Sequence, residues 1–296
     1  TAGVEREGWR VAAEKEMTDN FVHRNVFRPA LEDEVRQHGP ALPMKCVWTL
    51  KKPDPTSSRR IKKCRAVVCG NMQAKSAVEQ LYTSQVDIAS ILVSLRLATM
   101  WAWMTSAIDV KAAFLYAPLP ETMMIIVRPP ACFIKFGLAK AGELWRLQKA
   151  LYGLRVAPRL WGVERELKLK TLRWRTKVGT LELIQSCVDS CVWCVRVVFQ
   201  RPYGCATSLL GILVTYVDDF LVMMTDSEER RGLINAIKAL WDTSEECKLS
   251  PVTPVTFCGL EISLVDGNLH VHQRAYINQL FAKYDLLGAK SLNNLA

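Results

Sequence analysis

Three aspartates carry the most specific chemistry in this chain. Asp218 and Asp219 lie side by side in "LLGILVTYVDDFLVMM" (209–224), an apolar run otherwise interrupted only by Thr215 and Tyr216. A buried carboxylate costs several kcal/mol unless a partner or a metal ion offsets it. A membrane span does not explain the run. Its apolar arms fall far short of the roughly 20 residues that cross a bilayer, and each central aspartate would add about 2.5–3.5 kcal/mol on insertion scales. The Val, Ile, Thr and Tyr flanks instead predict two short buried strands with a tight turn at Val217–Asp218, which places both carboxylates at the exposed tip of a hairpin. A third acid, Asp109, ends the predicted strand "SAID". If that strand pairs beside the hairpin, Asp109, Asp218 and Asp219 converge. An oxygen-only cluster suits hard cations such as Mg²⁺ or Mn²⁺. Two such ions about 3.5–4 Å apart can activate an attacking hydroxyl and stabilise a leaving phosphate. Phosphoryl transfer is therefore the leading reaction class.

The elements that must position these acids alternate irregularly. "MKCVWTLKK" and "IKKCRAVVCG" read as strands around the turn "PDPTSS". "SQVDIASILVSLRLATMWAW" reads as a helix with Ile88, Leu92, Leu95 and Ala98–Thr99 on its apolar face, and Ser84 with Asp87 as its capping signal. A short strand is expected at Met123–Val127, bracketed by prolines. Pro158 can open a helix whose apolar stripe is Leu160, Val163 and Leu167. "CVWCVRVVF" and the turn "QRPYG" lead into the aspartate hairpin. A helix follows with Thr225 and Glu228 as a capping box and Leu233, Ile237 and Leu240 inward. "PVTFCGLEISLVDGNLHVHQ" forms a hairpin turning at Asp266–Gly267, and "RAYINQLFAKYDLL" an amphipathic helix. Several antiparallel hairpins among helices make an α+β pattern, unlike a doubly wound sheet. "HGPALP" suggests a boundary, so residues 1–40 read as an N-terminal extension.

The chain has 296 residues, half of them hydrophobic, and a net charge of +10, which favours an acidic partner, nucleic acid first. The charge is clustered at 51–65 and again at 146–177, which points to phosphate binding. The ten cysteines come with no signal-peptide pattern at the start, so reduced thiols in an intracellular setting are the default. Among Cys187, Cys191, Cys194 and Cys205, the Cys191-x-x-Cys194 spacing is zinc-like. A strand there would turn the two thiols to opposite faces.

Five blocks, in order, resemble the reverse transcriptases of copia-type retrotransposons: "KKCRAVVCGNMQ", "AIDVKAAFL", "RLQKALYGLRVAPRLW", "TYVDDFLV" with its YxDD signature, and "FCGLEI…LHVHQRAYINQLF". They run from about residue 41 to about residue 288. The resemblance implies a right-hand polymerase fold, with fingers and palm over 41–267, and with the end of a primer-grip hairpin and the start of a thumb over 268–296. It implies an RNA-directed DNA polymerase of a Pol polyprotein, acting on an RNA or DNA template–primer with dNTPs and no membrane. Asp109 and Asp218 would hold two Mg²⁺ or Mn²⁺ ions with the carbonyl of Val110, and Asp219 would complete the cluster. The primer 3′ hydroxyl would then attack the α-phosphate of a dNTP and release pyrophosphate. Lys63 and Arg65 match the positions that grip the triphosphate. Phe114 matches the aromatic residue that excludes a 2′ hydroxyl. Tyr152 and Gly153 match the floor of the nucleotide pocket, and Phe257, Cys258 and Gly259 the primer grip.

The chain departs from the family pattern at Cys69, where lysine is usual, at "FLYAPLP" in place of "FLNG", and at "TSQVD", which lacks the usual proline. These changes favour a second reading, a catalytically decayed nucleic-acid-binding remnant of the same fold. A metal-dependent nuclease would also use clustered acids, but it leaves "LYGLRVAPRLW" and Phe114 unexplained. Nothing in the sequence resembles a ribonuclease H, an integrase or a protease.

Overall fold

The computed structural model describes residues 2–51, 60–73, 81–198 and 209–286. The turns expected within 53–58 and 200–204, Cys205 and the last ten residues lie outside these. Along the chain, α1 (Ala2–Lys15) leads into a π-helix (Glu16–Val22), followed by β1 (Phe27–Pro29), α2 (Glu32–His38), β2 (Leu42–Lys51) and β3 (Ile61–Val68). Next come α3 (Ile88–Met100), β4 (Met104–Asp109), a short 3₁₀ helix (Ala113–Tyr116), β5 (Ile126–Arg128), α4 (Ala131–Lys135), β6 (Trp145–Leu147) and α5 (Ala157–Thr171). The strands β7 (Arg173–Thr176), β8 (Gly179–Gln185), β9 (Val192–Val197), β10 (Gly211–Tyr216) and β11 (Asp219–Met224) precede α6 (Glu228–Leu240). The described chain ends with β12 (Cys247–Lys248), β13 (Val255–Phe257), β14 (Leu260–Val265), β15 (Asn268–His272) and α7 (Arg274–Lys283). Helices and largely antiparallel sheets make this an α+β protein.

Two compact units share the chain. Unit 1 takes residues 1–83 and 112–167, and unit 2 takes 84–111 and 168–296. Unit 1 holds a five-stranded sheet in the order β1-β6-β5-β2-β3. Its only parallel pairing among the described strands is β2 with β5. Phe21, Phe133 and Trp145 are fully buried there, and Phe27 stacks on Trp145 at 3.9 Å.

Unit 2 is built on a seven-stranded sheet in the order β12-β4-β11-β10-β9-β8-β7, with β13-β14-β15 forming a separate sheet. Every residue of β10 from Gly211 to Thr215 is buried, as is every residue of β11 from Phe220 to Met224. Burial on both faces is why this segment reads as a continuous apolar run rather than an alternating one. Ile91, Leu95 and Ala98 of α3 join Ile212, Leu221 and Met223 of the sheet and Val255, Phe257 and Ile262 of the small sheet in one core.

Several elements differ in detail from their sequence expectations. The cap of α3 is Asp87 itself, whose carboxylate accepts from the Ala89 N–H at 2.7 Å. The helix buries Ile91, Ser94, Leu95 and Ala98, while Ile88 and Leu92 are exposed. In α5 the expected stripe fails because Val163 and Leu167 are exposed, whereas Trp161, Arg165 and Leu169 are buried. Ser227, not Thr225, caps α6, which buries Arg230, Leu233, Ile234 and Ile237. The hairpin β7–β8 has no counterpart among the elements the sequence predicts.

Candidate active site

Strand register explains how the acids meet. β4 and β11 run antiparallel with Asp109 opposite Asp219. One step on, the Val110 N–H donates to the Asp218 carbonyl at 2.8 Å. Asp109 and Asp219 are therefore a non-hydrogen-bonded pair, the kind in which facing side chains come closest. Asp218 enters from the turn. Carboxylate oxygens of all three lie within 4.8 Å of one another, the one such group of potential metal ligands among the described residues. Only Asp218 sits in the turn itself, since Asp219 is already the first residue of β11 and is half-buried.

This turn is strained. Of its two residues only Val217 has positive φ (51°), the pattern of a type II′ turn that favours glycine at its first position. A β-branched residue there stores on the order of 1–3 kcal/mol. Like charges facing across a strand pair are also unfavourable. Burial, reinforced by Asp218 and then Asp109, pushes the Asp219 carboxyl up to about 7. Three crowded oxygen donors with that repulsion between them fit one or two hard cations, which would offset it. The Val110 N–H faces Asp218, and strand alternation turns its carbonyl toward the same edge, consistent with a further oxygen donor.

The expected primer-grip residues flank this cluster within unit 2. Cys258 and Gly259 both have positive φ (49° and 74°) and join β13 to β14 in a tight turn. Phe257 is fully buried and meets the Tyr216 ring edge-on at 6.4 Å, so it supports the turn from beneath. The Tyr216 phenol is raised chiefly by the neighbouring Cys258, then by burial and by Asp219 and Asp218.

The expected nucleotide-binding residues lie in unit 1. Cys64, Ala66 and Val68 of β3 point inward, which turns Lys63 and Arg65 to the other face. The Arg65 guanidinium lies 5.5 Å from the centre of the Tyr152 ring, within cation–π range. Phe114 is half-buried and meets the same ring edge-on at 5.3 Å. The Val68 N–H donates to the Tyr152 carbonyl at 2.8 Å. Gly153 follows at φ 89°, where a Cβ would stand 2.0 Å from the Val68 carbonyl oxygen. Arg65, Phe114, Tyr152 and Gly153 are thus one local assembly.

Two contributors are not among the residues the sequence singles out. A Cβ on Gly70 would lie 2.0 Å from the Gly153 carbonyl oxygen, so two glycines let these backbones touch. Glu16 is buried and accepts from the Ala66 N–H at 3.1 Å and from Asn20 at 2.6 Å. It closes the edge of β3 between Arg65 and Val67. Its carboxyl is raised by burial, against the pull of those two hydrogen bonds and of Lys63 and Arg65. Gly70 has one local sign, a glycine at the end of a predicted strand. Glu16 has none.

The family model described as "Reverse transcriptase (RNA-dependent DNA polymerase)" matches residues 33–294. Similar curated proteins include the retrovirus-related Pol polyprotein from transposon RE2 of Arabidopsis thaliana, 29% identical over 83% of this chain and 15% of that protein. Another is the retrovirus-related Pol polyprotein from transposon TNT 1-94 of Nicotiana tabacum, 27% identical over 85% of this chain and 17% of that protein. The chain thus spans about a sixth of the length of these relatives. Among solved structures, the foamy viral protease-reverse transcriptase dRH in complex with double-stranded DNA is 14% identical, covering 97% of this chain and 38% of that one at a TM-score of 0.49.

Proposed function

The chain belongs to the reverse transcriptase (RNA-dependent DNA polymerase) family, and from that premise we propose that it is the polymerase domain of a copia-type retrotransposon Pol polyprotein, adding dNTPs to a primer 3′ hydroxyl on an RNA or DNA template. The observation that carries this reading is the meeting of Asp109, Asp218 and Asp219 within 4.8 Å. Mg²⁺ or Mn²⁺ ions bound there would acidify the primer hydroxyl and neutralise charge on the departing pyrophosphate. Asp109 and Asp218 would hold them, with the Val110 carbonyl and Asp219 as supplementary donors.

In this reading the sheet of unit 2 that bears the acids serves as the palm, the β2–β3 hairpin belongs to the fingers, and residues 268–296 begin the thumb. Lys63 and Arg65 neutralise triphosphate charge, with Tyr152 holding the guanidinium plane of Arg65 in place. Phe114 occupies the volume a 2′ hydroxyl would need, and Gly153, by letting its loop close on the Val68 backbone, keeps Tyr152 in place as the floor of the nucleotide pocket. Cys258 and Gly259 present backbone to the primer strand. The net charge of +10 suits a polyanionic template–primer, and among the described residues no helix is long and apolar enough to cross a membrane.

The experiment is dTTP incorporation on poly(rA)/oligo(dT) with Mg²⁺ or Mn²⁺, comparing the wild type with Asp218→Asn. Loss of a metal ligand worth several kcal/mol of transition-state charge should lower incorporation by roughly a thousandfold, while template–primer affinity survives on lysines and arginines. Wild-type incorporation by the variant would refute the metal assignment. Duplex binding without incorporation by the wild type would favour the decayed remnant, to which Cys69 already points.

A further inference from the structure

The strand that carries Asp109 has a second neighbour. On the side away from β11, β4 pairs with β12 through Ala107 opposite Cys247, and Val110 stands opposite Thr243. Four residues on the β4 side, Ala107–Val110, therefore face five on the other, Thr243–Cys247. This mismatch is a β-bulge, a feature that recurs beside active sites because it interrupts the ladder and re-aims what it faces. It falls opposite Asp109.

At the bulge the ladder is completed by a side chain. The Ser244 N–H donates to the Asp109 carbonyl at 2.8 Å, as a strand partner would. The reciprocal bond, from the Asp109 N–H, runs at 3.0 Å to the Ser244 hydroxyl oxygen in place of a backbone carbonyl. That hydroxyl in turn donates to the Glu245 carbonyl at 3.1 Å, which fixes its lone pairs toward Asp109. Adjacent contacts hold the segment down. The Lys111 N–H donates to the Asp242 carbonyl at 2.9 Å, and the Lys111 ammonium pairs with the Asp242 carboxylate at 3.1 Å. Behind it, the fully buried Arg230 donates to the Ser106 hydroxyl at 2.5 Å and pairs with Glu246.

We propose that Ser244 is a positioning residue for Asp109, its hydroxyl standing in for the ladder carbonyl that the bulge removes. With both main-chain groups of Asp109 tied to Ser244, the neighbouring Val110 amide is left to face Asp218, and the Asp109 side chain is held toward Asp219. The inference rests on the proposed role of Asp109 as a metal ligand. Displacement of a reacting group by about 1 Å can cost on the order of a hundredfold in rate.

The test uses Ser244→Ala and Ser244→Thr in the full chain. Ser244→Ala should speed amide hydrogen exchange at Asp109, raise the Mg²⁺ midpoint of incorporation about tenfold and lower kcat by about 10- to 100-fold, with KM for dTTP within about twofold. Ser244→Thr, which keeps the hydroxyl, should restore all three. Wild-type exchange and a wild-type Mg²⁺ midpoint in Ser244→Ala would overturn the proposal, and so would a threonine variant as impaired as the alanine. Failure of the polymerase reading looks different: the wild type itself would incorporate nothing. Asp109 exchange and Mn²⁺ affinity by electron paramagnetic resonance would then decide the role of Ser244, and no change in either on Ser244→Ala would overturn it.

Discussion

The acid turn of unit 2 and the Arg65–Tyr152–Gly153 assembly of unit 1 are built on opposite principles. The first concentrates like charge on strained backbone, with Val217 at φ 51° and the Asp219 carboxyl pushed up to about 7. The second is tight in shape, with two glycines where a single methyl would strike a carbonyl oxygen at 2.0 Å. An electrostatic site gives up stability that a ligand can return. A steric site gives up nothing, but tolerates no added atom. The two regions should therefore answer opposite kinds of mutation, one gaining stability when a functional group is removed and the other losing it when a group is added.

The largest effect should come from Gly70→Ala. Its new methyl meets backbone rather than a movable side chain, so unfolding free energy should fall by about 3 kcal/mol. For a protein of this size that is a drop of roughly 6–12 °C in melting temperature. A melting temperature within a degree of wild type would show that the backbones part easily and that the steric half of the comparison is wrong.

Phe114→Ala follows. If the ring occupies the space of a 2′ hydroxyl, its removal should relax rGTP-against-dGTP discrimination in kcat/KM by roughly ten- to a hundredfold, or about 1–3 kcal/mol. A ring that served only as core would instead cost about 3–5 kcal/mol of stability and slow both substrates equally.

Asp219→Asn should move the other way. A carboxyl whose folded pKa lies above its unfolded value of about 3.9 contributes favourably at low pH, and that contribution is lost as pH rises through about 7. The full shift corresponds to about 4 kcal/mol, which solvent screening at a half-exposed site reduces to about 1–2 kcal/mol. In EDTA at pH 8 the asparagine variant should therefore melt higher than wild type, and at pH 3.5 the two should coincide. Equal melting at both pH values would remove the electrostatic half of the comparison. Smallest of all, neutralising Arg155, Arg159 and Lys168 should flatten the slope of log K against log salt for duplex binding, by about 0.9 for each phosphate these side chains pair with. An unchanged slope would mean that they touch no phosphate.

Much of this was legible because turn chemistry is local. The Val217–Asp218 turn and the Asp266–Gly267 turn, with φ of 49° and 78° at the latter pair, are visible from a few residues each. The apolar faces of the helices were not. Apolar residues surround the helix from Ile88 to Met100 on several sides, so periodicity alone pointed to Ile88 and Leu92 where packing chose Ile91, Leu95 and Ala98. In α5 the largest side chain, Trp161, drew Arg165 and Leu169 inward with it and left Val163 and Leu167 outside. The β7–β8 hairpin was hidden by its charge, since Arg173 and Arg175 alternate with Trp174 and Thr176 and read as part of a basic region. Approaches between residues distant in sequence, such as Gly70 to Gly153 or Glu16 to Ala66, leave no periodic trace at all.

The order of the chain adds a consequence in time. β4 is made before both of its neighbours, β11 and β12, and about half of the residues between β4 and β11 belong to unit 1. At synthesis rates of about 5–20 residues per second, the roughly 110 residues separating Asp109 from Asp219 take on the order of 5–20 s to appear. For that interval β4 emerges with both edges bare, while unit 1 already has all its residues before β10 begins. The acid cluster then assembles only after the residues of unit 1 have been made, and a ribosome stalled before Ser244 would leave a strand with one open edge, ready to pair with another chain.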